Sequence, residues 1–335
     1  TNVGGHGVVG TLRGSQPGRT LALRADMDAL PIQEESALDY CSQNTGVMHA
    51  CGHDGHTTCL LGAAHVLASH REQLQGTARF LFQPAEETGS GAKGMCADGA
   101  MDGVDAIIAL HAWPALEVGQ IGIRLGAMTA SADTFTLTIH GKGAHAAYPH
   151  LAVDPIVAAA QVITALQTIA SREVDPNQPV VVSVGQINAG TAPNIIPDTV
   201  HLAGTVRTHS NEVRTALPAQ MRRIADGICA SLRCSCELTF SEGTPPVVND
   251  PEIARQIAEV AGEALHPHNV VILPHASMGA EDFAVYLEHA PGALFRLGLG
   301  NPTPLHTPGF NFTDAAVPVG VEVFSRFALH FLSGS

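Results

Sequence analysis

The sequence predicts an α/β fold, a mixed sheet flanked by helices, with a smaller ferredoxin-like α+β domain inserted into it. Three observations lead there. Four short runs of buried-type residues each end on a group of acid or imidazole side chains. Helix-like stretches lie between those runs, which is the alternation of an α/β sheet. From about residue 128 to 242 the pattern changes to half-exposed strands and two long amphipathic helices.

The first run, Thr20-Leu21-Ala22-Leu23-Arg24-Ala25, enters Asp26-Met27-Asp28, and the second, Ala78 to Phe82, enters Gln83-Pro84-Ala85-Glu86-Glu87. Ala106 to Leu110 enters His111, and Leu294 to Leu299 enters a loop that holds His306. Open α/β sheets place their sites at the carboxyl ends of their strands, so these four ends are expected to converge. Inside the insertion, Asp133–His140, Val180–Ile187, Val200–Thr208 and Arg233–Phe240 read as strands, and Pro155–Ser171 and Glu212–Leu232 as helices. That order, β-α-β-β-α-β, is the ferredoxin-like arrangement. The expected division is therefore 1–127 and 243–335 for the larger domain and 128–242 for the insertion, with further helices at Pro251–Leu265 and Val317–Leu332.

At 335 residues and 45% hydrophobic, the chain can bury a large core. Its formal charge of -14 repels phosphate backbones and anionic lipid heads, which excludes nucleic acid and membrane surfaces as expected partners. No apolar run has the length of a membrane span and no leader pattern opens the chain. Seven cysteines without framework spacing fit a reducing, cytoplasmic setting. Cys234-Ser235-Cys236 alternates with Leu232, Leu238 and Phe240 as a strand does, so it reads as packing. Residues 5–10 match G-x-G-x-x-G, but no strand precedes them and a turn follows, so a glycine-rich hairpin is expected in place of a dinucleotide fingerprint.

The densest chemistry is Met48-His49-Ala50-Cys51-Gly52-His53-Asp54-Gly55-His56. Thiolate and imidazole are ligands for zinc and its neighbours, and the two glycines let Cys51 and His53 converge from a loop. The bland alternative is a polar helix start capped by Asp54. Glu86-Glu87 places two carboxylates side by side, which repel unless a cation lies between them. Neighbouring loop residues point apart, so one glutamate can ligate a metal while the other faces a metal-bound water as general base. His111 and His306 are candidate ligands by position, the latter held stiff between Pro304 and Pro308. His49 and His56 are open between supporting a ligand and serving the scaffold.

Arg24-Ala25-Asp26-Met27-Asp28-Ala29-Leu30-Pro31, His49 to His56, Gln83 to Glu87, Leu110-His111 and Leu305-His306-Thr307-Pro308 resemble, in order and spacing, the M20 family of metallopeptidases. The likeness is greatest to its amidohydrolase branch of hippurate hydrolases, N-acyl-amino-acid amidohydrolases and auxin-conjugate hydrolases. Gly141 to His150, Ala192 to Pro197 and Gly204 to Thr208 are similar to that branch's lid and dimerisation domain.

The resemblance implies a dinuclear site in which Cys51, His53, Glu87, His111 and His306 hold two divalent ions (Zn, Mn, Co or Ni). Glu86 is then the base, and Asp28 orients a ligating imidazole. His145 is implied to act in catalysis, and Asn194 and Arg207 to bind substrate, with His145 often reaching across a homodimer. The implied reaction is cleavage of an N-acyl amino acid to a carboxylic acid and a free amino acid. Carboxypeptidase or dipeptidase action is the alternative, and a catalytically inactive metal-binding homologue is an alternative of another class. A zinc deaminase would need Cys-x-x-Cys, which is absent. Two departures from the family pattern stand out. The chain looks amino-terminally short, and Thr88-Gly89-Ser90-Gly91 and Ala280 stand where the family usually has a glycine run and a serine.

Overall fold

A computed structural model describes residues 1–301 and 303–333. The described residues fall into two compact units: one of Thr1–Met128, Val247–Ala276 and the chain from Glu281 onward, the other of Thr129–Pro246 with Ser277–Ala280. The principal strands are β1 (Val8–Arg13), β2 (Gln16–Asp26), β3 (Gln75–Gln83), β4 (Ala106–Trp113), β5 (Ile121–Ile123), β6 (Ala132–His140), β7 (Val180–Ala189), β8 (Thr199–Thr208), β9 (Ser235–Thr244), β10 (Val270–Ile272) and β11 (Gly292–Gly298). The principal helices are α1 (His53–Ser69), α2 (Gly91–Ala97), α3 (Pro155–Thr168), α4 (Asn211–Ser231), α5 (Pro251–Leu265) and α6 (Val317–Phe331). No described helix is long and apolar enough to cross a membrane.

The first unit is built on a seven-stranded mixed sheet ordered β1-β3-β2-β4-β11-β5-β10. Its centre is parallel, β3 with β2, β2 with β4 and β4 with β11, while β1 and β5 run antiparallel to β3 and β11. Side chains alternate across such strands. Leu21, Leu23 and Ala25, Ile108 and Leu110, and Phe295 and Leu297 pack with α1, α5 and α6 through Leu60, Leu67, Ile257 and Phe324. Ala22, Ile107, Ala109 and Leu294 face the other way, onto Met95 of α2 and the short Phe283–Tyr286 helix. By the same alternation Arg24, Asp26, His111 and Arg296 belong to this second face, which is apolar at Ala22, Ile107, Ala109 and Leu294 and turns polar towards the carboxyl ends of the strands.

The glycine-rich opening makes a hairpin only over residues 3–7, closed by reciprocal bonds between Val3 and Gly7. β1 does not pair with β2, because both pair with β3 between them. All seven cysteines are free thiols, and Cys234 packs into the second unit's core.

The second unit is built on a four-stranded antiparallel sheet ordered β9-β6-β8-β7, with α3 and α4 contributing Ala158, Val162, Leu166, Leu217 and Met221 to its core. Asp154 and Ser210 start the two helices by accepting bonds from first-turn N–H groups. β7 is a ten-residue edge strand whose last five residues are exposed.

Gly91 opens α2 where a Cβ would lie 1.6 Å from the carbonyl oxygen of Pro84. Gly91→Ala is therefore expected to push the Pro84–Glu87 turn aside, lowering stability by about 1–3 kcal/mol. Thermal unfolding checks this, and an unchanged melting temperature contradicts the packing described.

Candidate functional site

The site grows from the ends of β2, β3 and β4 and the start of α1. Gly52 has φ 85° and lets the chain turn sharply between Cys51 and His53, the first residue of α1. Asp54 thus lies inside the first turn and does not cap the helix. Ala85 (φ 56°) and His306 (φ 61°) are non-glycine residues in left-handed backbone, a strained conformation that the surrounding structure has to enforce. His111 lies within β4, not beyond its end, and His306 follows β11 by eight residues.

These elements bring five expected residues together. Cys51 Sγ lies 3.5 Å from His111 Nε2 and 3.3 Å from His306 Nε2. His306 Nε2 lies 3.3 Å from Glu87 Oε1, which is 3.9 Å from His53 Nε2. Cys51, His53 and His111 form one group whose ligand atoms lie within 4.8 Å of one another, Cys51, Glu87 and His306 a second, and His53, Glu86 and Glu87 a third.

Hydrogen bonds decide which ring nitrogens are available. His53 Nδ1 bonds the main-chain oxygen of Asp28 at 3.0 Å and its carboxylate at 3.1 Å, so it donates and Nε2 faces inward. His111 Nδ1 donates to the oxygen of Ala112 at 2.8 Å, which turns its Nε2 lone pair towards Cys51. His56 is the opposite case. Its Nδ1 donates to Asp26 at 2.6 Å and its Nε2 accepts from the Ala112 N–H at 2.7 Å, so no lone pair is left for an ion. Although Asp26, His53 and His56 are close enough to form a ligand group, His56 is committed to positioning the main chain beside His111. His49 Nδ1 also bonds the oxygen of Asp28.

The residues fit a metal. His53 Nε2 and Glu87 Oε1 are buried without a hydrogen-bond partner, which is expensive unless a cation lies between them. Burial, with Glu87, Asp26 and Glu86 nearby, pushes the Cys51 thiol well up, so only a cation would make it a thiolate. Burial together with Arg296 and His56 holds His111 well below its ordinary value and therefore neutral. Burial alone would lower His53, but Asp26 and Asp28 outweigh it and raise the ring to about 9, so an arriving ion has to displace a proton there. Burial beside Glu281, Asp26 and Asp282 pushes Glu86 well above the usual carboxyl range. Asp28 links two of the grouped residues, bonding His53 through Oδ1 and accepting the Glu87 N–H through Oδ2. Those two bonds outweigh its burial and hold its carboxyl below the usual range.

Beneath the site lies a buried network absent from the sequence reading. Arg24 is fully buried and donates to Gln83, Asp26, Glu281 and Asp282 at 2.8–3.0 Å. Two signals pointed to it: a charge inside an apolar strand, and a second adjacent acid pair, Glu281-Asp282, open to the argument made for Glu86-Glu87. Arg296, inside Leu294-Phe295-Arg296-Leu297, carried the first signal too.

In the second unit, residues 144–145 pair with 195–196, so His145 and Asn194 lie together and both are exposed. His145 Nδ1 accepts from the Ala147 N–H at 3.1 Å, which leaves Nε2 as the protonated nitrogen of the neutral ring. Arg207 is not with them. It stands near the other end of β8, eight residues beyond Thr199, or roughly 26 Å at the rise of an extended strand.

Residues 22–330 match the model of peptidase family M20/M25/M40. The N-acetyl-L-cysteine deacetylase of Bacillus subtilis is 44% identical over 93% of this chain and 74% of its own length. Thermostable carboxypeptidase 1 of Saccharolobus solfataricus is 39% identical over 97% and 84%. Among solved structures, the Bacillus subtilis YXEP protein, a dinuclear metal binding peptidase from the M20 family, is similar with a TM-score of 0.88 and 38% identity, over 98% of this chain and 86% of that one.

Arg24→Met leaves Asp26, Glu281 and Asp282 buried without their guanidinium. Urea unfolding is expected to show a loss of about 3–5 kcal/mol, against at most about 1 kcal/mol for Arg326→Met in its exposed pair with Glu322. Equal losses contradict the role given to Arg24.

Proposed function

This chain belongs to peptidase family M20/M25/M40, and from that premise we propose that it is a two-metal amidohydrolase that cleaves N-acyl amino acids, of hippurate type, to a carboxylic acid and a free amino acid. As a member of the family it is a metal-dependent hydrolase acting on amide bonds. The observation that carries the finer reading is the convergence of Cys51, His53, Glu87, His111 and His306 beside a buried glutamate, with His53 Nε2 and Glu87 Oε1 left without a hydrogen-bond partner. We assign those five residues to two divalent ions, Zn, Mn, Co or Ni. When bound, such ions polarise a carbonyl and ease the deprotonation of water.

The chain's own groups do the rest. Glu86 takes a proton from the attacking water, whose oxygen forms a bond to the amide carbon, and returns it to the nitrogen as the C–N bond breaks. Its burial excludes bulk water from that transfer. Asp28 holds the His53 ring and the Glu87 main chain in place.

Further assignments rest on the second unit. With Nδ1 already occupied, His145 has its Nε2–H to offer to the carbonyl oxygen as negative charge develops there. Asn194 adds a hydrogen bond, and Arg207 takes the amino acid's carboxylate as a bidentate pair. The distance along β8 between Arg207 and the His145–Asn194 pair argues against one substrate meeting all three in a single chain. It supports a homodimer in which His145 serves the partner's site, with the exposed edge of β7 a suitable pairing surface. A carboxypeptidase, as one relative is named, would use the same groups on a peptide bond.

Release of free amino acid from N-acetyl, N-benzoyl and indole-acetyl amino acids, set against dipeptides, tests the substrate class. Preference for dipeptides favours the peptidase reading. Glu86→Gln is expected to retain both metals yet lose rate on the order of a thousandfold, and Glu87→Gln to lose metal affinity. Metal analysis beside kinetics checks this, and the reverse pattern swaps the roles. Mixing Glu86→Ala and His145→Ala chains tests the dimer. Activity that appears only after subunit exchange is expected, and a purified mixed dimer as inactive as both parents rules out action in trans.

A further inference from the structure

Arg296 is a buried cation without a close ion-pair partner among the described residues, its nearest counter-charges being Glu281 and Glu86 at longer range. It is 5% exposed, and among the described residues its guanidinium makes no hydrogen bond or ion pair. Its contact is with the ring of Trp113, 4.4 Å from the guanidinium carbon. A buried charge is ordinarily paired, and the other buried arginine on this face of the sheet, Arg24, has four partners.

The position of Arg296 is as informative as its isolation. In the parallel ladder of β4 and β11, Arg296 stands opposite His111. Burial pushes it down to about 10 against the opposing pull of Glu281, Cys51 and Glu86, so it remains a cation at neutral pH and its charge bears on the metal-site residues. Trp113, not Arg296, also lines a cavity of 680 Å³ with Pro114, Glu117, Asn301, Pro304 and Leu305, between the segments that carry His111 and His306. Glu281 and Glu86 offset part of that charge from a distance, but among the described residues no carboxylate pairs with the guanidinium, and a positive group beside a site meant for two divalent cations favours a further anion. Stacking on an aromatic face holds a guanidinium while leaving its edge free for a planar, bidentate partner.

We infer that Arg296, held by Trp113, is a binding residue for a carboxylate of the substrate, forming an anion subsite in the first unit beside His111. The inference rests on the amidohydrolase reading and adds a second carboxylate-binding group to it. The carboxylate comes either from the amino-acid half or from a dicarboxylic acyl group such as succinyl.

Trp113 is the chain's single tryptophan, so its fluorescence reads the subsite directly. Metal-replete protein is titrated with succinate and with uncharged succinamide. A saturable change with succinate and none with succinamide is expected, weakened about tenfold to a hundredfold in Arg296→Met and partly recovered in Arg296→Lys, at unchanged metal content. Arg296→Gln replaces the methionine variant if that one does not fold. Equal succinate affinity in wild type and variant overturns the inference. So does a loss that follows metal content, which would make Arg296 a charge-balancing neighbour of Cys51 and Glu86. Ratios of kcat/KM identify the source. Collapse in the variant of the preference for N-succinyl-L-alanine over N-acetyl-L-alanine assigns the acyl carboxylate. Collapse of the preference for N-acetyl-L-alanine over N-acetyl-L-alaninamide assigns that of the amino acid. If these substrates are hydrolysed and neither ratio moves, Arg296 does not bind a substrate carboxylate. If wild type hydrolyses none of them while succinate binding still needs Arg296, the amidohydrolase reading fails and the anion subsite stands.

Discussion

The rest of the site depends on one buried cation, the guanidinium of Arg24. It stands on the central strand β2 and donates to Asp26 two residues on, to Gln83 at the end of β3, and to Glu281 and Asp282 just before the Phe283–Tyr286 helix. Asp26 in turn receives His56, His56 receives the Ala112 N–H, and the Ala112 carbonyl receives His111. One charge thereby fixes the ends of β2, β3 and β4 relative to one another and turns the His111 lone pair towards Cys51. Without Arg24, the carboxylates it collects would repel one another in a region from which water is excluded.

The same logic separates the proposed ligands from supports. Three histidines lie within a few ångströms of Asp26 and Cys51, yet their hydrogen bonds give them different roles. His53 and His111 each use Nδ1 on an oxygen acceptor and leave Nε2 inward, whereas His56 uses both nitrogens. Ligand type alone would group all three. The second nitrogen's partner distinguishes them, as is general for metal-ligating imidazoles.

Much of the fold could be read from residue spacing because the strands of the first unit are buried on both faces and read as continuous apolar runs, while those of the second alternate. Glu87, His111 and His306 were legible because each follows or ends such a run, and Cys51 and His53 because they stand in a dense cluster of thiol and imidazole side chains. What escaped was long-range. Nothing local tells that Arg24 meets Glu281, 257 residues away. Nothing local tells that His56, a neighbour of His53 in sequence, spends both nitrogens on scaffold. His145, Asn194 and Arg207 were grouped by motif, but β8 holds Arg207 far along the strand from the other two, a separation that follows from strand geometry once the register is known.

The central claim is that Cys51, His53, Glu87, His111 and His306 hold two ions while His56 holds none. Anomalous scattering from crystals of metal-loaded protein, collected at the absorption edge of the bound metal, tests it most directly. The account predicts two peaks, each about 2.0–2.3 Å from donor atoms of that set, with both nitrogens of His56 still on Asp26 and Ala112. A single peak, or one seated between Asp26 and His56, would contradict it.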